Sequence, residues 1–309
     1  MVTIPLIQKI AELFLILFAA ALLVRLGVLK ADDSKAIAQV SLNLVTPCVI
    51  FNSFRKEMTP EVQQGLLLAV GLAVAFQTIF MLLAFILKHV WKATEVERAS
   101  IMFTNAGNLI IPIVSYVLGP EWVIYVSGYI LVFNILCWTY GVRMFDSASG
   151  IDLKRILLNP NILAVLAGIL MLISGISISG PLGIAFDDVS ATIGPISMII
   201  TGLIVGSMSV KDVFANKRVW GVIFFRMIVC SGCAVLTAAL SGIAHLIPSG
   251  EQIVMISLLS AIAPSASNIN QLAILYNKDA KYASAINVLT TLACIVTVPL
   301  WVTLYLALV

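Results

Sequence analysis

Long apolar runs alternate with short polar connections along the whole chain, and ten of them can span a bilayer core as helices. They cover 6–29, 37–54, 62–87, 99–118, 122–142, 162–178, 189–207, 219–247, 253–275 and 283–309. The pattern predicts an all-α integral membrane protein of ten transmembrane helices, with no soluble domain in the short connections. The first run, with Lys9 and Ala19-Ala20-Ala21, has the look of a secretory signal. It is too long for a signal core and has a counterpart later in the chain, so it reads as a span.

Two spans are interrupted by residues that lipid-facing helices avoid. The fourth carries Thr104-Asn105-Ala106-Gly107-Asn108-Leu109-Ile110-Ile111-Pro112, and the ninth carries Ala263-Pro264-Ser265-Ala266-Ser267-Asn268-Ile269-Asn270-Gln271. Each of these polar or helix-weakening residues lowers helix propensity or adds a group that hydrocarbon cannot satisfy. Non-helical backbone at membrane depth survives only inside protein or beside a water-filled cavity, and paired broken helices point to a transporter's substrate site.

The halves share this punctuation. Gly27-Val28-Leu29 matches Gly175-Ile176-Ser177 and Pro47 matches Pro195, at an offset of 148. Asn105 matches Pro264 and Gly119-Pro120 matches Lys278-Asp279 at 159, the stretch 209–219 lengthening the second half. Residues 1–150 and 151–309 therefore read as two five-helix repeats, and an odd number of spans in each forces them into opposite orientations. Such inverted repeats place a substrate site between them at the midplane.

The chemistry expected there is neutral and polar. Pro112 and Pro264 each remove a backbone donor, and Gly107, Ala266 and Ser267 permit close backbone approach. If both helices unwind and cross, half-helix N-termini point positive partial charge at one spot, which suits a carboxylate. Asn105, Asn108, Ser265, Ser267, Asn268, Asn270 and Gln271 supply donors and acceptors beside it. Two ordinary Pro-kinked helices would explain a lone proline but not a dense polar cluster in both halves. Pro47 and Pro195 mark kinks that either form a wall for a moving bundle or are purely structural. Arg226, inside the eighth span, has three readings: attraction of an anionic substrate, a lock on the crossover through backbone carbonyls, or snorkelling to the interface. Gln77, Asn134 and Asn287 lie mid-span and are expected to face protein, the last two supporting the broken helices. Glu12 and His245 read as interfacial.

Composition agrees. The chain of 309 residues is 61% hydrophobic and 11% charged, with a mean hydropathy of +1.09, whereas soluble domains carry about 25% charge. Fourteen Lys and Arg fall on one set of alternate connections and three on the other. This bias places both termini outside and the connection from Arg143 to Arg155 in the cytoplasm. The net charge of +3 sits at span ends and implies no nucleic-acid partner. Cys48, Cys137, Cys230, Cys233 and Cys294 lie in apolar spans and read as packed small hydrophobes, with no disulfide framework or metal cluster. No cofactor is implied. Without a nucleotide-binding motif the chain itself does not read as an ATP-driven pump, and two His outside any motif offer an enzyme reading little.

At Asn105, seven residues before Pro112, and at Ala263-Pro264-Ser265-Ala266-Ser267-Asn268, the chain resembles the auxin efflux carrier family, AEC/PIN-like transporters. The stretch Asn43–Pro47 and the ending Thr297-Val298-Pro299-Leu300 add to the resemblance, which covers essentially the whole chain. It implies a ten-helix fold like that of bile-acid symporters, with scaffold helices 6–54 and 162–207, usually dimeric, and transport-domain helices 62–142 and 219–309 that move like an elevator. It further implies that Asn105 contacts a substrate carboxylate. The long central loop of many plant members is absent, so neither its phosphorylation control nor auxin specificity carries over. The expected function is secondary transport of a small organic anion in the cell membrane. The alternatives are a sodium-coupled symporter of bile-acid type and a sensor that binds the ligand without moving it.

Overall fold

The computed structural model describes residues 3–55, 59–146, 153–176, 178–208 and 216–309. Lys56, Ser177, Lys211 and most of the 209–219 stretch, used above for orientation and repeat, lie outside the described residues. The described residues are helical throughout, apart from turns and one isolated β-bridge.

Among the described residues, seven helices are long and apolar enough to cross a membrane: α1 (Thr3–Arg25), α2 (Asp33–Ser53), α3 (Pro60–Val90), α5 (Pro120–Phe145), α7 (Gly180–Ser207), α8 (Arg218–Leu240) and α10 (Ala280–Leu308). The other three segments are shorter or divided. The sixth forms α6 (Pro160–Ser174). The fourth splits into α4a (Glu95–Met102) and α4b (Ala106–Val117), and the ninth into α9a (Gly250–Ile262) and α9b (Asn268–Leu275). The eighth was expected to run to 247 but ends at Leu240, where Gly242 takes a φ of +63° and turns the chain.

Local sequence sets these boundaries. Thr59 caps α3 by accepting from the Val62 N–H, Pro60 follows, and Lys88 and His89 close the last turn where the helix dipole favours cations. Two prolines, Pro47 and Pro112, are accommodated by local widening of the helix. A proline ring clashes with the carbonyl four residues earlier; for Pro47 that residue is Asn43 and for Pro112 it is Asn108. Asn43 lies in a π-turn at Ser41–Val45 and Asn108 in another at Ala106–Ile110. The wider turn carries the clashing carbonyl away from the ring. Pro195 follows the kink at Thr192 that divides α7 into Gly180–Ala191 and Ile193–Ser207.

The helices pack in two groups. In one, α1 lies along the second segment of α7, and the last turns of α2 sit against α6 and the first segment of α7. Small residues make this possible: a Cβ at Gly202 would strike the Leu17 carbonyl oxygen, one at Gly206 would lie 2.5 Å from the Ala21 oxygen, and one at Gly168 would meet the Phe54 ring at 2.5 Å. The small-xxx-small spacing of Gly202 and Gly206 lets two backbones touch where lipid supplies no hydrophobic drive. Arg55 closes the same group at one end, binding Asp187 at 2.9 Å and the Ile178 carbonyl at 2.9 Å. In the other group α3 packs on α5, α4a and α9a, while α10 packs on α8 and α9b. Apolar side chains such as Leu15, Leu22, Leu82, Phe85, Val296 and Leu300 remain exposed on outer faces, as lipid contact requires.

Gly206→Leu is expected to separate α1 from α7 and lower the melting temperature in detergent, by the overpacking cost of roughly 1–3 kcal/mol or more. Gly71→Ala, in α3 with nothing within 4 Å of the added Cβ, should be neutral or gain about 0.5–1 kcal/mol. Equal effects from the two changes would contradict the packing.

Candidate functional site

The two breaks meet. Phe103–Asn105 and Ala263–Ser267 run antiparallel, with Thr104 paired to Ser265 as the isolated bridge. The Asn105 N–H donates to the Pro264 carbonyl at 2.8 Å, and the Ala266 N–H donates to the Phe103 carbonyl at 3.0 Å. Peptide groups freed from each helix are thus satisfied by the other, as a low-dielectric interior demands. Helix α10 supports the strand-like turn from behind: Asn287 Nδ2 donates to the Ser265 carbonyl at 2.7 Å, and the Ser265 N–H donates to Thr290 Oγ1 at 3.2 Å.

Arg226 closes one side of the crossing. It is fully buried within a π-turn, Phe224–Cys230, and its guanidinium lies 5.0 Å from the Phe80 ring centroid. Nε donates to the Ala263 carbonyl at 3.0 Å, Nη1 to Ile101 at 3.2 Å, and Nη2 to Ala263 at 2.7 Å and also to Ala261. These carbonyls end α4a and α9a, so one side chain holds the C-terminal ends of both half-helices. The guanidinium does not snorkel; it is held inside the protein by these carbonyls.

The other side is open. A cavity of about 1350 Å³ reaches from Asn108, Ser267 and Asn287 to an exposed rim that includes Asp32, Lys35, Asp279 and Lys281. Its walls come from α2, the end of α7, α9b and α10, with Asn270 and Gln271 on the α9b side. A second space of about 30 Å³ lies beside the crossing, lined by Asn105, Gly107, Asn108 and Asn268 together with Thr46, Asn134 and Asn161. Asn108 borders both, and its Nδ2 donates to Ser267 Oγ at 3.3 Å.

The candidate residues therefore divide. Asn108, Ser267, Asn270 and Gln271 line the large cavity; Asn105, Gly107 and Asn268 line the small one. Ser265 lines neither, and its peptide is part of the crossing itself. Pro264 lies in the break, but Pro112 does not: the fourth helix opens at Phe103–Asn105, ahead of Gly107, and Pro112 sits buried in α4b. There it packs on α7, its Cβ 3.2 Å from where a Cβ of Gly194 would be. Its missing donor is absorbed by the π-turn at Ala106–Ile110, so it has no need to break the helix. Pro47 and Pro195 are kink residues that line neither space, although Thr46 beside Pro47 lines the small one.

Three contributors were not legible as site residues. Thr46 comes from the Asn43–Pro47 stretch of α2, which read as a kink or wall and not as a lining site, and Asn161 comes from α6, where no local pattern sets it apart. Glu97 did carry a signal: Thr94-Glu95-Val96-Glu97 is a capping box, and the box forms. Glu97 is fully buried in α4a, with Oε1 accepting from Arg218 Nε at 2.7 Å and from Tyr282 at 3.0 Å, and Oε2 from Arg218 Nη2 at 2.8 Å. A second ion pair, Lys278 to Glu95 at 2.9 Å, lies in the same region. The knot ties the starts of α4a, α8 and α10 beside the cavity, where Tyr282 is also a wall residue. Burial alone would raise the Glu97 carboxyl, but hydrogen bonds from Arg218, the Thr94 backbone and Tyr282 outweigh it and hold the group below its ordinary range.

Helices that cross a bilayer yet break against each other beside a large cavity are built to pass a solute, and the class they define is the multi-pass membrane transporter. The sequence profile of the membrane transport protein family matches residues 5–302. The chain belongs to that family, the AEC/PIN-like carriers that its broken helices resemble. No curated protein matches the chain.

Because the Glu97 pKa is depressed in the folded state, its contribution to stability is complete above the ordinary carboxylate value of about 4.3 and is lost as pH falls through the lower folded value. Glu97→Gln should cost on the order of 2 kcal/mol at neutral pH, less than a fully buried pair because the Arg218 side chain is 42% exposed. Thermal melts across the acid range should then be flatter for the variant than for the wild type. Parallel curves would remove Glu97 from the acid response.

Proposed function

We propose that the chain is a secondary transporter of small organic anions, carboxylates above all, working by alternating access. One observation carries the reading: α4b and α9b begin at a single crossing bordered by Asn105, Asn108 and Ser267, at the inner end of the large cavity. Each half-helix N-terminus presents about +0.5 of a charge, so two of them offer one carboxylate a near-complete counter-charge. Neutral amides and hydroxyls then fix its orientation without trapping it, which suits a site that must release as well as bind.

The mechanism is of elevator type, within ten spans arranged as two inverted repeats, 1–150 and 151–309. Helices α1, α2, α6 and α7 are the scaffold, and two copies pair through them. The remaining six helices carry the crossing past that scaffold; packing that is denser within each helix group than between them supports this division. The protein lies in the cell membrane with both termini extracytoplasmic, an orientation that the charge bias supports. The cavity rim with Lys35 and Lys281 then faces the cytoplasm, and the conformation is inward-facing.

A thermal-shift screen of dicarboxylates and aromatic acids, with and without sodium, identifies the substrate class, and uptake into vesicles follows with the best ligand. Asn105→Ala should cut uptake by about 10- to 100-fold, the worth of one hydrogen bond to a charged group, while leaving the melting temperature near wild type. Uptake at the wild-type rate would remove Asn105 from the site. Pro264→Ala should slow transport more than it weakens binding, since the Pro264 carbonyl holds the crossing while its ring keeps the helix open. Unchanged kinetics would separate the break from the transport cycle.

A further inference from the structure

The crossing has an electrostatic imbalance that Arg226 corrects. Two helix C-termini, α4a and α9a, end against each other inside protein. Each carries about −0.5 of a charge, so together they place close to one full negative charge where water does not reach. Half-helix C-termini and unwound carbonyls in transporters are sites at which a mobile monovalent cation is held. Here the carbonyls of Ile101, Ala261 and Ala263 converge instead on the Arg226 guanidinium, which is 0% exposed. Among the described residues no carboxylate pairs with Arg226, so the carbonyl dipoles are the counter-charge that makes its burial tolerable.

We infer that Arg226 is a tethered cation: its guanidinium fills a monovalent-cation site formed by the Ile101, Ala261 and Ala263 carbonyls, and deleting the side chain uncovers that site. The charge is delivered with the fold rather than drawn from solution. The crossing is assembled and its N-terminal side poised for an anion without a bound sodium ion. The role is positioning, because Arg226 lines neither cavity and acts through the two helix ends. Its meaning for coupling rests on the transporter reading, whereas its test reads cation binding and stability alone. Failed anion uptake by the wild type would leave it untouched.

The test compares melting temperature and radiolabelled-sodium binding of purified protein in sodium and in choline, a cation too large for the site. Wild type and Arg226→Lys should melt alike in both salts and bind sodium only at background. Arg226→Ala should melt several degrees lower in choline, recover with millimolar methylguanidinium or with sodium, and bind sodium above background. Arg226→Gln, similar in bulk to Lys but neutral, should be less stable than Arg226→Lys in choline. Sodium binding by the wild type overturns the inference, as does an Arg226→Ala protein indifferent to every cation. If Arg226→Ala does not fold in either salt, the Lys and Gln variants decide, and equal behaviour of those two shows that packing, not charge, is what Arg226 supplies.

Discussion

Two short non-helical stretches, Phe103–Asn105 and Ala263–Ala266, satisfy each other's peptide groups, and the architecture around them exists to make that exchange possible. A broken helix in a low-dielectric interior leaves donors and acceptors that cost several kcal/mol each when unpaired. One broken helix would need water or side chains at every position. Two that cross antiparallel form a bridge, and only the residual groups need help. Asn287 and Thr290 provide that help from α10, and Arg226 provides it from α8.

The bridge also sorts charge. Crossing in this sense gathers the C-terminal ends of α4a and α9a around Arg226, and brings the starts of α4b and α9b toward the polar spaces. The negative ends are neutralised by a buried side chain. The positive ends adjoin Asn105, Asn108 and Ser267. The electrostatic polarity of the crossing is therefore a property of backbone direction. The Glu97–Arg218–Tyr282 knot works at a longer range, fixing the far ends of the elements that meet at the crossing, so that the bridge is held from both ends of α4a.

Much of this was legible from residue order. The apolar runs foretold the long helices, because hydrocarbon tolerates little else. The clusters around Asn105 and Pro264 marked the two broken helices, because such polar density has no other stable setting at that depth. The place of the break in the fourth helix was misjudged. Pro112 looked like its cause, yet a π-turn at Ala106–Ile110 absorbs the proline, and the helix opens at Phe103–Asn105 where the bridge partner lies. Arg226 offered three roles that sequence alone could not separate, since depth in a span does not say what the side chain reaches.

What the sequence determined by itself was the set of helices, their interruption and the neutral polar character of the interrupted segments, all fixed by local hydropathy and backbone chemistry. Only the tertiary structure decided which interrupted segments pair, which carbonyls surround Arg226, and that Thr46 and Asn161 share a space with Asn105. Those outcomes join residues of very different sequence position, and they depend on close helix contacts such as Gly202 and Gly206 against α1. Hydropathy reports how a segment meets its solvent; it carries no information about which distant backbone will complete its hydrogen bonds.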